Sequence, residues 1–247
     1  MTDPQSATAL AAERLALVED STRAMLKTVA ELEPDAVAEP SALPGWTRGH
    51  VLAHLSRNAD SLVNLLTGAR TGTDIPQYAG NEARDQDIER DAPRPLDVQL
   101  ADLRASHERF AAAAALMDAE AWAVGVKHRS GYVFPAHEIP LKRLLELEYH
   151  HVDLDGGYTP AQWTESFAVA QFRRLAVTLA GADDLPTVEL VAEDTDDRAV
   201  IGAASAGTGP TVTGPVRALA AWLSGRSDGA DLRRTPDTAL PQLPPMG

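Results

Sequence analysis

Apolar side chains recur three and four positions apart from residue 9 to residue 32, and Leu10, Leu15, Leu17, Met25, Leu26 and Val29 supply the face that this spacing buries. The pattern predicts an amphipathic helix, ended by Pro34 and Asp35. Residues 41–47 form a turn punctuated by Pro44 and Gly45, with Thr47 as N-cap of a second helix over 48–67. That helix carries Val51, Leu52, Leu55, Leu62, Val63 and Leu66 and is expected to stop at Gly68. Residues 69–94, rich in Asp, Gly, Pro and Arg, read as a long connection with a short helix at 81–90. Connections of that length in a compact domain are usually functional or mobile. Pro95 starts a third helix running through Leu103 and Phe110 to Met117, and Pro135 or Pro140 opens a fourth that carries Leu144 to Leu154. Four helices with one long crossover predict a bundle.

Beyond Gly156, Gly157 and Pro160 the periodicity changes. A helix over 164–180 is followed by β-like runs at 187–192 and 199–203, then a polar stretch of Ala, Gly, Ser and Thr. A last helix over 215–224 ends at Gly225, and a Pro-rich tail follows from Thr235. The expected architecture is α + α/β. Residues 1–158 make a four-helix bundle and residues 159–247 a smaller C-terminal α+β domain.

Composition narrows the function. The 247 residues are 44% hydrophobic, enough for one large or two modest cores. A net charge of −14 argues against a nucleic-acid backbone or an anionic membrane surface as partner, because both are recognised by clustered Lys and Arg. No apolar run approaches the ~20 residues of a membrane span, and the first residues lack a basic segment followed by an apolar one, so a cytoplasmic protein is expected. Only Lys27, Lys127 and Lys142 are lysines among 22 basic residues, and Ala is abundant, a bias associated with a GC-rich bacterial genome. The chain has no cysteine, which removes disulfides, Cys-ligated zinc and an internal thiolate nucleophile. Thiol chemistry would need a thiol from outside.

Candidate chemistry lies on the second and fourth helices. Glu146 and His150 are four apart and share a helix face, and His54 on the facing second helix completes two imidazoles and a carboxylate. That set suits Zn²⁺ and leaves a coordination position open for a substrate. Spacing alone leaves other readings: His50 and His54 are also four apart, His151 adjoins His150, and an isolated Glu/His pair is commonly a surface contact.

Three segments resemble one family. Residues 43–60, LPGWTRGHVLAHLSRNAD, are similar to the N-terminal signature of the mycothiol-dependent maleylpyruvate isomerases, within the DinB-like metal-binding bundles. Residues 143–158, RLLELEYHHVDLDGGY, resemble the family's second signature, and residues 221–229, AWLSGRSDG, its C-terminal W-L-x-G-R segment. The resemblance implies an actinobacterial enzyme with a zinc-binding DinB-like bundle, a small C-terminal domain and mycothiol as external thiol. It carries the metal ligands onto His54, Glu146 and His150, and a functionally important arginine onto Arg226. Asp153 then either orients His150 as acceptor of its second ring N–H or is a polar residue of the helix end. Arg226 either binds a substrate carboxylate or favours the helix dipole. Arg84, in the crossover, is a second candidate for substrate or thiol binding.

The reaction implied is cis–trans isomerisation. A metal-activated thiolate adds to the cis double bond of maleylpyruvate, the bond rotates, and elimination gives fumarylpyruvate. The same scaffold suits a mycothiol or related thiol S-transferase acting on another electrophile, and a non-catalytic metal-binding module is the reading from a different class. The expected partners are a small thiol and a small electrophile, with the protein a monomer or weak homodimer.

Overall fold

The structure is a computed structural model that describes residues 3–244. It divides into two compact units, Met1–Tyr158 and Thr159–Gly247.

In the first unit the long helices are α1 (Pro4–Ala30), α2 (Arg48–Thr71), α4 (Leu96–Ala115) and α6 (Ile139–Asp153), with α3 (Asn81–Asp91) and α5 (Ala119–Ala123) between them. Helix α2 packs on α4 and α6, and α1 packs on the same two, which closes a four-helix bundle. Asp3 starts α1 by accepting from the Gln5 and Ser6 amides at 3.1 Å, earlier than the apolar pattern suggests. Thr47 caps α2, and the His50 ring returns the favour by accepting from the Thr47 amide at 3.1 Å.

Helix α2 does not stop at Gly68. It runs to Thr71 and ends on Gly72, whose φ of 70° is the left-handed conformation of a helix C-cap. Gly68 lies inside the helix, at a point where the Thr73 carbonyl folds back to within 2.8 Å of where a side chain would begin. Gly49 is a second close approach: a Cβ there would meet the carbonyl oxygens of Ala92 and Val37. Residues 118–135 also hold more structure than the pattern predicts. They contain α5, capped by Asp118, and an antiparallel hairpin of β1 (Gly125–Lys127) and β2 (Val133–Pro135).

The second unit has α7 (Glu165–Leu179), β3 (Pro186–Ala192), β4 (Arg198–Ile201), β5 (Ala203–Gly214), α8 (Val216–Leu223) and β6 (Arg233–Thr235). The sheet order is β4-β3-β5-β6, with β3 and β5 parallel and the other two pairs antiparallel. Helices α7 and α8 pack on each other, α8 against β3 and β5, α7 against β4. The polar stretch after residue 203 is therefore the longest strand, and its register against β3 shifts twice near Thr187. No described helix is long and apolar enough to cross a membrane.

Candidate metal centre

Two arginines set α2 against α6 on either side of the site. Arg48, the first residue of α2, donates from Nε to the Leu154 carbonyl at 3.0 Å and from Nη2 to the Asp155 carbonyl at 2.8 Å. These are orphan acceptors at the end of α6, so the two helix termini satisfy each other. The Ala42 amide adds a bond to the Asp153 carbonyl at 2.8 Å. About three turns back on α6, Arg143 reaches the other way, donating from Nη1 to the Leu55 carbonyl at 2.8 Å and to Asn58 Oδ1 at 2.9 Å. Arg143 is fully buried, and burial lowers its pKa to about 10, which leaves it a cation at neutral pH. Among the described residues its Nε and Nη2 have no hydrogen-bond partner.

Between these ties stand His54, Glu146 and His150. One ligand atom from each lies within 4.8 Å of the other two. Glu146 Oε2 is 2.8 Å from His54 Nε2 and 3.2 Å from His150 Nε2. The imidazole rings of His54 and His150 meet edge to face, 4.6 Å between centroids. The His54 side chain is 6% exposed, His150 15% and Glu146 32%, so the group is walled on the histidine side and reachable at the carboxylate. That asymmetry suits a site that admits a further ligand rather than a sealed structural one.

The electrostatics prepare the donors. Burial drives the His54 imidazolium down to about 4 despite the Glu146 carboxylate, so the ring is neutral at physiological pH. Burial alone would raise Glu146, but hydrogen bonds from His150 and His54 and their charges hold it well below the usual range. For His150 burial is outweighed by Asp153 and Glu146, and its pKa rises. His150 Nδ1 donates to Asp153 Oδ2 at 2.8 Å, which turns Nε2 toward Glu146. Two imidazole nitrogens and an ionised carboxylate converging in this way fit a divalent ion such as zinc, with room for one or two further ligands.

Arg84, on α3, lies beside the triad. Its Nη2 is 3.2 Å from His54 Nδ1, its Nη1 is paired with Asp85 at 2.6 Å, and it interacts with the Tyr78 hydroxyl. Tyr78 also engages Ser61, and its pKa is raised by burial, so it is a neutral phenol. Arg226 belongs to the second unit. There it closes the end of α8, its amide bonding to the Ala221 carbonyl and its Nη1 to the Ser224 carbonyl, both at 2.8 Å. His50, the alternative to His54, is occupied by the α2 cap and by Glu89 at 3.4 Å. His151 faces away, bonded to Thr28 at 2.8 Å and stacked on Tyr158.

The sequence reading missed Arg48, Arg143 and Tyr78. An arginine three residues before Glu146, on the face otherwise filled by Leu144, Leu147 and Ile139, was a usable signal for Arg143. Trp46 stacks on His50 and tilts against His54 with ring centroids 5.6 Å apart.

A sequence model described as the mycothiol maleylpyruvate isomerase N-terminal domain matches residues 18–155. No curated protein matches the chain. Among solved structures, a crystal structure of the mycothiol-dependent maleylpyruvate isomerase is similar over 100% of both chains, at 26% identity and a TM-score of 0.85. A histidine-to-alanine mutant of that isomerase is similar over the same extent, at 25% identity and a TM-score of 0.86.

Proposed function

Since the chain belongs to the family of the mycothiol maleylpyruvate isomerase N-terminal domain, we propose that it is a metal- and thiol-dependent cis–trans isomerase of maleylpyruvate. The observation that carries this reading is the convergence of His54, Glu146 and His150 within 4.8 Å, open at Glu146. Zinc, when bound by those three residues, would lower the pKa of a thiol from about 8.5 into the neutral range. The chain has no cysteine of its own, so the thiol comes from outside, and mycothiol is the family's.

The protein's own groups do the rest. His54, Glu146 and His150 would hold the metal from two helices, and Asp153 fixes the ring of His150. The buried histidine side keeps water from the back of the site, so charges within it act at short range through a low dielectric. Thiolate addition forms a C–S bond and moves the electron pair of the cis double bond into an enolate with the adjacent ketone; the new single bond rotates, and collapse of the enolate expels the thiolate and restores the double bond in trans form. Arg84, beside the triad, serves as a carboxylate-binding residue, because a guanidinium fork matches a carboxylate at two points.

The test is an assay of maleylpyruvate conversion with mycothiol, with glutathione and without thiol, on protein of measured zinc content. Mycothiol-dependent conversion with about one zinc per chain supports the reading. Bound zinc without conversion would instead favour an S-transferase using the same thiol on another electrophile.

A further inference from the structure

The partners of the two histidines are opposite in kind. His150 presents Nδ1 to the carboxylate of Asp153, an acceptor, whereas His54 presents Nδ1 to the guanidinium of Arg84 at 3.2 Å, which can only donate. With Arg84 donating, Nδ1 of His54 must offer its lone pair, and the ring proton sits on Nε2 and is donated to Glu146 at 2.8 Å. A neutral imidazole that ligates through Nε2 carries its proton on Nδ1. Nδ1–H and the Arg84 N–H would then face each other, donor against donor. Arg84 on His54 and a metal on His54 Nε2 are therefore mutually exclusive arrangements, whereas Asp153 on His150 is compatible with both.

We propose that Arg84 is coupled to the metal: loading His54 expels its guanidinium from Nδ1, and the freed guanidinium becomes the anion-binding group beside the open coordination position. This rests on the isomerase reading only for the identity of the anion, a substrate carboxylate. Arg84 has somewhere to go. Its side chain is 16% exposed, its other nitrogen is on the exposed Asp85, and the Tyr78 hydroxyl is already within its range. A protein built this way offers its cation to an anionic substrate only when the metal is in place. Without the metal, the arginine is held by the ligand residue itself.

The experiment is zinc affinity, measured by competition with a chromogenic chelator, for the wild-type chain and Arg84→Met, together with ¹⁵N spectra of the histidine rings before and after zinc. Removing the guanidinium removes a charge-assisted bond that must break on loading, so Arg84→Met should bind zinc about tenfold tighter or more. Wild-type His54 should show a bare Nδ1 before zinc and a protonated one after. Equal or weaker affinity in Arg84→Met overturns the coupling and marks Arg84 as a support of the site. Tighter binding with a wild-type His54 that already carries its proton on Nδ1 is charge repulsion alone, and also overturns it. Should Arg84→Met fold poorly, a crystal structure of the zinc-loaded wild type decides: Arg84 still within hydrogen-bond reach of Nδ1 is the refuting result. None of these readouts uses turnover, so a chain that binds zinc but does not isomerise leaves the coupling to stand or fall separately. A chain that binds no zinc removes both.

Discussion

Asp153 Oδ2 accepts the Nδ1 proton of His150 at 2.8 Å, from three residues further along the same helix. The bond sets both the tautomer and the rotation of the ring, and it strengthens Nε2 as a donor to a metal. Asp153→Asn keeps the size of the side chain but loses the charge. Zinc affinity should fall by about 10- to 100-fold, read by chelator competition, with the helical content unchanged by circular dichroism.

Removing a ligand goes further. His54→Ala and His150→Ala should each lower bound zinc to a small fraction of the chain and reduce thiol-dependent turnover by more than about 100-fold. Metal analysis alongside the assay checks this, and full turnover in either variant would sink the proposed centre.

Arg226→Ala should spare zinc content, since Arg226 is not one of the three candidate ligands and its Nη1 bonds to the Ser224 carbonyl. If the arginine holds a substrate carboxylate, kcat/KM should fall by about 10- to 100-fold, the range for a lost hydrogen bond to a charged group. Loss of zinc in this variant would assign the arginine a structural part instead.

Acid stability carries the mark of a neighbouring residue. Burial lowers the pKa of His151 from 6.5 to about 4. As pH falls the unfolded chain takes up this proton first, so the stability of the neutral buried ring is fully present above 6.5 and is lost progressively toward about 4. The difference is on the order of 3 kcal/mol. In denaturant titrations with chelator present, His151→Gln should flatten the fall in stability across that window while keeping a partner for Thr28. An unchanged slope would mean that the ring does not stay neutral.

Gly49→Ala should destabilise the bundle by about 1 to 3 kcal/mol. The added methyl points at two backbone carbonyls, Ala92 and Val37, which cannot swing aside as a flexible side chain would. Urea unfolding of the variant gives the number.

The helices were legible because their signals are local. Thr47 before an apolar 3.6-residue pattern, and Pro140 at the start of α6, are capping and backbone statements that need no tertiary partner. The α-plus-sheet class followed from where that pattern ceased. Strand β5 was not legible, since residues 203–209 alternate nothing and lie mostly exposed; its strand character comes from pairing with β3, a contact that no local pattern announces. Hairpin β1–β2 is hidden for the same reason, being three residues a side. In the site, the i, i+4 spacing of Glu146 and His150 could be read directly, but the ties made by Arg48 and Arg143 could not. Each ends on a backbone carbonyl of another helix, and carbonyls have no letter in a sequence.

His54 and Glu146 are 92 positions apart along the chain. An ion gripped by both is a clasp around everything between them, including α3 and α4, and the longer the enclosed segment, the more disorder the clasp denies to the unfolded chain. Ligand bound only by the folded form adds about 4 kcal/mol at a thousand times its dissociation constant, a large part of what a small domain has in total. Metal starvation would then be felt by a cell as missing protein, cleared by its proteases, before it was felt as idle enzyme.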